Sequence, residues 1–394
     1  MKKLAAILSV WLCAMNLCAQ MIVQKGSGLT IQNGADIIVE SDIINEDKIQ
    51  NDGVLRFTGD WENKNKYGGL MEGSKGEVIL IGNSQKLKGT FPMSFYTLKL
   101  TGAGIKSVNQ DMQILNLLDL NDGELELVAT KLTLLNGVEH ALKRNRGIIS
   151  ATEGGFFYRN LEEKGTYLYP MGSSKTGQFL YRPIEVDLNG DHENLFGVSF
   201  LAKDPGNNYY YRENRKDNVS EVNSKFYHVL DRTKGDAQLK VNYFYSSNDG
   251  YSALAKWTDN LWENITLYKS LDLTSQDLNR QMVFIADKSF GNVPVTLANL
   301  KEAHNLVFYN SYSPDGDGKN DTWTIGNIDN YPENEITIFN RWGGEVFKTK
   351  SFSSINRWDG ASLSEGTYYY LLRVKIENEY KVFKGFVSLV KNQR

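Results

Sequence analysis

The sequence predicts an all-β protein with a repetitive, solenoid-like β region first, a β-sandwich in the middle and an immunoglobulin-like β-sandwich at the C-terminus. Three observations carry this. Tyr (21 residues) and the other aromatics make up 12% of the chain, with 35 Gly and only 7 Pro. Such a composition suits pleated surfaces turned by glycine. An apolar residue recurs every six positions from Ile31 to Trp61. Beyond residue 150 the runs lengthen and alternate apolar with polar, as half-buried strands do.

A chain of 394 residues exceeds one ordinary core, since domains run roughly 100–200 residues, so two to four units are expected. The 44 Lys+Arg and 47 Asp+Glu leave a formal charge of −3. That balance offers no cationic excess for a phosphate backbone, which speaks against nucleic acid as partner.

Residues 1–19 read as a signal peptide. Lys2 and Lys3 form a basic start, Leu4 to Cys13 an apolar core, and Ala19 a small residue before Gln20. Both cysteines, Cys13 and Cys18, lie within it. A chain starting at Gln20 therefore has no disulfide, thiol nucleophile or thiolate metal site, and its formal charge becomes −5. No later apolar run reaches the 18 residues of a membrane-spanning helix.

Residues 20–150 form the repetitive region. Ile31, Ile37, Ile43, Ile49, Leu55 and Trp61 fall at intervals of six, separated by Asn33-Gly34, Asn51 and Asp52-Gly53. This pattern fits coils stacked so that each rung buries its apolar side on the next. Strands follow at Val78 to Ile81, around Leu98, at Leu125 and Leu127, and at Leu132 and Leu134. Residues 151–304 form the middle sandwich. Its strands centre on Tyr167 and Tyr169, Ile184 to Leu188, Phe196 to Phe200, Phe226 to Leu230, Leu239 to Tyr245, and Met282 to Ile285. Tyr209, Tyr210 and Tyr211 fall in a polar loop, which is expected to be solvated with one or two rings packed beneath it.

Residues 305–394 form the last unit. An acidic loop at 313–321 is followed by a strand from Glu335 to Asn340 and a turn at Arg341-Trp342-Gly343-Gly344. Trp358-Asp359-Gly360 makes a second turn, Gly366 to Val374 a strand, and Phe383 to Leu389 another. The runs SPDGDGKNDTW (313–323), ITIFNRWGGEVF (336–347), WDG (358–360), GTYYY (366–370) and KGFVSLV (384–390) resemble, in order and spacing, the gliding-motility-associated C-terminal domain of Bacteroidetes. That domain is the type B sorting domain of the type IX secretion system. Asp315 and Gly344 depart from the family's usual residues. The resemblance implies that Asn340, Arg341, Trp342, Gly343, Trp358, Asp359, Gly360, Gly366, Thr367, Tyr368, Lys384 and Gly385 form the sorting motif. It also implies export to the periplasm, passage through an outer-membrane translocon as partner, and release or display at the cell surface.

The acidic loop has EF-hand-like spacing, with Ser313, Asp315 and Asp317 at positions 1, 3 and 5, Gly318 at 6, the Lys319 carbonyl at 7 and Asp321 at 9. Hard oxygens at alternate positions suit Ca²⁺. Thr324, not Glu, stands at position 12. The loop reads either as a structural calcium site or as Asx turns that satisfy their own amides. No catalytic constellation emerges. His140, His192, His228 and His304 are scattered, and the HExxH start at His192-Glu193 meets Phe196 where the second His belongs. The expectation is a non-enzymatic surface protein that binds another protein, a polysaccharide or the secretion apparatus and so assists or reports on that system. It needs no cofactor except possible structural calcium. The alternative is a surface carbohydrate-active enzyme using solenoid carboxylates among Asp36, Glu40, Asp42, Glu46, Asp47, Asp52 and Asp60.

Overall fold

The computed structural model describes residues 20–391 apart from 176, 178, 272–277, 301–305, 361 and 377–378. Residues 1–19, with Lys2, Lys3, Cys13 and Cys18, lie outside the described residues, as do His304 and the junction at 304–305.

The N-terminal half is a stack of about seven β-coils. One parallel sheet runs through Gln20–Val23, Asp42–Asn45, Trp61–Asn63, Gln85–Gly89, Ile105–Val108, Glu124–Leu127 and Ile148–Ala151. A second runs through Asp36–Val39, Val54–Phe57, Glu77–Leu80, Met93–Leu100, Met112–Asp119, Lys131–Leu134 and Phe156–Leu161. In the first two coils Leu29–Ile31 and Ile49–Asn51 close a third side. Ile37 pairs with Leu55, and Ile43 with Trp61, each 18 positions on. The six-residue interval is thus one side of a three-sided coil. Each side turns one residue inward, and Ile31, Ile43, Ile49, Leu55 and Trp61 are buried to 1% exposure or less.

The coils are stitched by polar groups as well as apolar ones. Asn45 and Asn63 stack in register, and the Asn45 Nδ2 donates to Asn63 Oδ1 (3.2 Å) and to the Gly69 carbonyl (2.8 Å). The Asn63 Nδ2 donates to the carbonyls of Asn65, Phe91 and Pro92. Two coils further on, Lys106 is fully buried. Its ammonium donates to the carbonyls of Gly82, Asn83, Gly102 and Ala103. Burial pushes its pKa down to about 8, and the carbonyl cage supplies the acceptors a buried ammonium requires.

The second sheet does not stop at the last coil. Phe156–Leu161 pairs antiparallel with Asn194–Leu201. The sheet continues through Tyr227–Lys234, Val293–Leu300, Ala253–Thr258 and Leu261–Asn264. One face of this extension packs on a second sheet of Gly165–Tyr169, Ile184–Leu188, Leu239–Tyr245, Arg280–Ala286 and Tyr268–Leu271. This is the middle sandwich, and the apolar core runs unbroken from Val23 to Leu297. Position 150 lies inside the Ile148–Ala151 strand, the last strand of the first sheet. His228 sits fully buried between the layers, with Nδ1 2.9 Å from the Tyr243 hydroxyl and Nε2 2.8 Å from the Arg182 carbonyl. Burial lowers its pKa to about 3, so it is neutral in the folded chain. Tyr210 packs edge-on against Tyr227 and Trp257, while Tyr209 and Tyr211 remain exposed.

The tail has its own core, built on Trp323, Ile336, Ile338, Trp358, Leu372, Val374 and Val387. Its five-stranded sheet orders Ser311–Tyr312, Glu379–Leu389, Gly366–Ile376, Asn334–Phe339 and Glu345–Lys350. A short ribbon, Val307–Phe308 with Ile325–Gly326, contributes to a second, thinner layer. The arrangement is consistent with a β-sandwich.

Candidate functional site

The motif residues of the tail divide into two groups. The first is a hairpin tip. Asn334–Phe339 turns into Glu345–Lys350 through residues 340–344. The Asn340 backbone amide donates to the Gly344 carbonyl (2.9 Å), and its side-chain Oδ1 accepts from the amides of Trp342 (3.0 Å) and Gly344 (2.9 Å). The short Asn side chain therefore builds the turn. Trp342 is left 81% exposed, with the Arg341 guanidinium 4.8 Å from its ring centroid. Beside the tip, the start of Gly366–Ile376 completes a cavity of about 300 Å³. Asn340, Arg341, Trp342, Glu365, Thr367 and Tyr368 line it. A cation, a carboxylate and an open indole face thus surround one concavity, a combination suited to an extended peptide surface.

The second group is internal. Trp358 is 3% exposed and lies within aromatic contact of Tyr312 (5.3 Å) and Tyr368 (5.2 Å). Its carbonyl accepts from the Trp323 amide (2.9 Å). Gly360 has φ of +56°, and a Cβ there would stand 2.1 Å from the Tyr312 hydroxyl oxygen. No side chain fits that position. Gly385 pairs with Tyr370 across the last hairpin, and a Cβ would stand 2.3 Å from that phenol oxygen. Asp359 and Lys384 are exposed. The structure therefore gathers Asn340, Arg341 and Trp342 with Thr367 and Tyr368. It places Trp358, Gly360 and Gly385 where they hold the sheet.

In the acidic loop, one carboxylate oxygen from each of Asp315, Asp317 and Asp321 lies within 4.8 Å of the others. The same groups serve the backbone. Asp321 accepts from the amides of Gly316 (2.6 Å) and Gly318 (2.8 Å), and Asp317 from that of Lys319 (2.7 Å). The Ser313 amide donates to the Asn320 carbonyl (3.0 Å). The Asx turns shape the loop, and the three convergent hard oxygens have donor chemistry that fits a divalent cation.

On the solenoid, several of the acidic residues reach a neighbouring coil. Asp42 accepts from the Asp60 amide (2.7 Å), Asp47 from Gly26, Asp52 from Lys75 (3.1 Å) and Asp60 from Lys86 (2.8 Å). Asp36 forms an ion pair with Arg56 (2.9 Å). Sequence reasoning missed another pair, Glu124 and Glu126. They alternate with inward-facing Leu125 and Leu127, and both are buried on the outer face. Ser174 donates to Glu124, and Lys175 pairs with Glu126. A cavity of about 270 Å³ adjoins Glu126, Ser150, Ser173, Lys175 and Lys203. The ELEL alternation was the available signal, but nothing local announces the loop that covers it.

No curated protein and no solved structure matches the chain. None of the helices among the described residues is long and apolar enough to cross a membrane. Residues 306–389 match the family model of the CHU_C type IX secretion signal domain. Through that domain the chain is a cargo of the type IX secretion system, recognised by it and exported to a secreted or cell-surface fate.

Proposed function

We propose that this cargo is a non-enzymatic binding or structural protein displayed on the outer surface. Residues 1–19 take it to the periplasm and are removed before Gln20, and the tail then addresses it to the translocon through the concavity between Trp342 and Thr367. The observation that carries the non-catalytic reading is the use of the solenoid carboxylates. Asp42, Asp47, Asp52 and Asp60 hold amides of adjacent coils, so one oxygen of each is engaged in stacking. Deleting residues 306–394 should leave the protein in the periplasm. Surface labelling of the truncated chain at full level would reject the address. Affinity capture of the exported protein from an outer-membrane extract identifies what the body binds.

A second reading rests on Glu124 and Glu126, two buried carboxylates on one face of one strand. They favour carbohydrate cleavage if the covering loop opens. Exported protein that releases reducing ends from surface polysaccharide, and loses this on Glu126→Gln, would replace the binding reading.

A further inference from the structure

An antiparallel sheet with one face on a core ordinarily turns polar side chains to water on the other. The central strands of the tail depart from this. Tyr368, Tyr370, Leu372 and Val374 point into the core. The outward residues alternating with them include Tyr369 and Leu371, and the next strand adds Val382 and Phe386. These four are 43–59% exposed. Tyr369 pairs with Phe386 on one side and with Phe339 on the other, so an aromatic row crosses three strands. Toward the edge strand the same face is polar, since Glu335 and Thr337 pair with Lys350 and Lys348. The apolar stripe is therefore local, not a property of the whole face.

The tail is also where such side chains gather. Of the nineteen large apolar residues exposed among the described residues, ten lie in the tail, which is less than a quarter of the chain. Exposed apolar surface on that scale marks an interaction site, and the tail is the unit that the type IX secretion system recognises. The stripe is continuous with the hairpin-tip concavity, because Thr367, the outward residue two positions before Tyr369, lines that concavity. Its charge is one-sided. Lys384 stands opposite Leu371 and Arg373 opposite Val382, and both are exposed. The Arg373 guanidinium lies 4.0 Å from the Tyr380 ring centroid. The nearby carboxylates of Glu333 and Glu335 are taken by Lys375 and Lys348.

We propose that the outward face of Gly366–Ile376 and Glu379–Leu389 is a docking surface for the secretion apparatus, and that it fits a protein surface of the outer-membrane translocon with an apolar strip bordered by carboxylates. This rests on the proposed address and widens it from the hairpin tip to the sheet. The aromatic row and Leu371 supply the desolvated centre of the contact, and Lys384 and Arg373 supply a cationic border that selects an acidic partner. The proposal also gives Lys384 a task. Its neighbour Gly385 holds the sheet against Tyr370, whereas Lys384 is turned to solvent.

The test follows full-length variants in the exporting cell. Leu371→Glu and Lys384→Glu change exposed outward positions, so each should keep the melting temperature of the chain. Each should lower the secreted fraction at least about fivefold, the effect of losing one central contact. Tyr209→Ser, which removes an exposed ring of the body, should leave secretion unchanged. A benzoylphenylalanine photo-crosslinker at Phe386 should join the chain to an outer-membrane subunit of the translocon, and one at Tyr209 should not. Full secretion of both tail variants overturns the inference, as does a crosslink at Phe386 that forms only with a second copy of the chain or not at all. If the chain lacking residues 306–394 stays in the periplasm in those cases, the address stands and only this face is rejected. Export of that truncated chain overturns the address and the face together.

Discussion

Burying an imidazole between two sheets fixes its charge, and His228 shows how. Its two nitrogens are engaged by the Tyr243 hydroxyl and the Arg182 carbonyl, and its pKa falls to about 3 from an ordinary value near 6.5. The unfolded chain therefore binds a proton that the folded chain refuses between those values. Stability from this group is complete above pH 6.5 and is lost as pH falls toward 3. Denaturation midpoints measured across that window should decline more steeply for the native protein than for His228→Gln, which keeps polar contacts without titrating. Parallel declines would mean that His228 takes up its proton in the fold. The sequence itself marks His228 as a packed core residue, since it stands among Phe226, Val229 and Leu230. It gave no such notice of Lys106, whose four carbonyl acceptors come from two turns at 82–83 and 102–103. A lysine in an alternating strand reads as solvent-facing until the neighbouring coil is placed.

Strands were legible individually; their partners were not. The six-residue spacing of Ile31 to Trp61 announced stacked coils because one apolar residue per side is what a three-sided coil buries. That Phe156–Leu161 would be the last rung of the stack and also the first strand of the sandwich sheet depends on pairing with Asn194–Leu201, a long-range choice that no local pattern encodes. The tail shows a similar division. Its motifs were readable as a group, but only packing separates the hairpin tip from the WDG turn. Trp342→Ala should leave the melting temperature unchanged and reduce export, measured as the secreted fraction. Gly360→Ala should destabilise the tail by about 2–4 kcal/mol, from overpacking against Tyr312 and from a positive φ. Equal loss of stability in both variants would show that Trp342 supports the fold instead of the address.

The tail's apolar core, Tyr312 to Leu389, is separate from the three clusters of the body, the largest of which runs from Val23 to Leu297, and this division sets the cooperativity of the chain. Calorimetry should resolve two transitions: one for coils and sandwich together, and one for the tail. Millimolar calcium should raise only the second if Asp315, Asp317 and Asp321 hold the ion, since a ligand stabilises the state that binds it. A single transition would mean that the tail unfolds with the body, and an unmoved second transition would leave the Asx turns as the loop's whole role. The shared sheet has a mechanical consequence as well. Coils rise by the spacing of neighbouring strands, about 4.8 Å, so seven span roughly 30 Å. With hydrogen-bonded strands continuing from the last coil into the sandwich, that length has no hinge at its base. Whatever grips the sandwich holds the first coil at a fixed standoff, and a push at the tip is delivered as torque at the root.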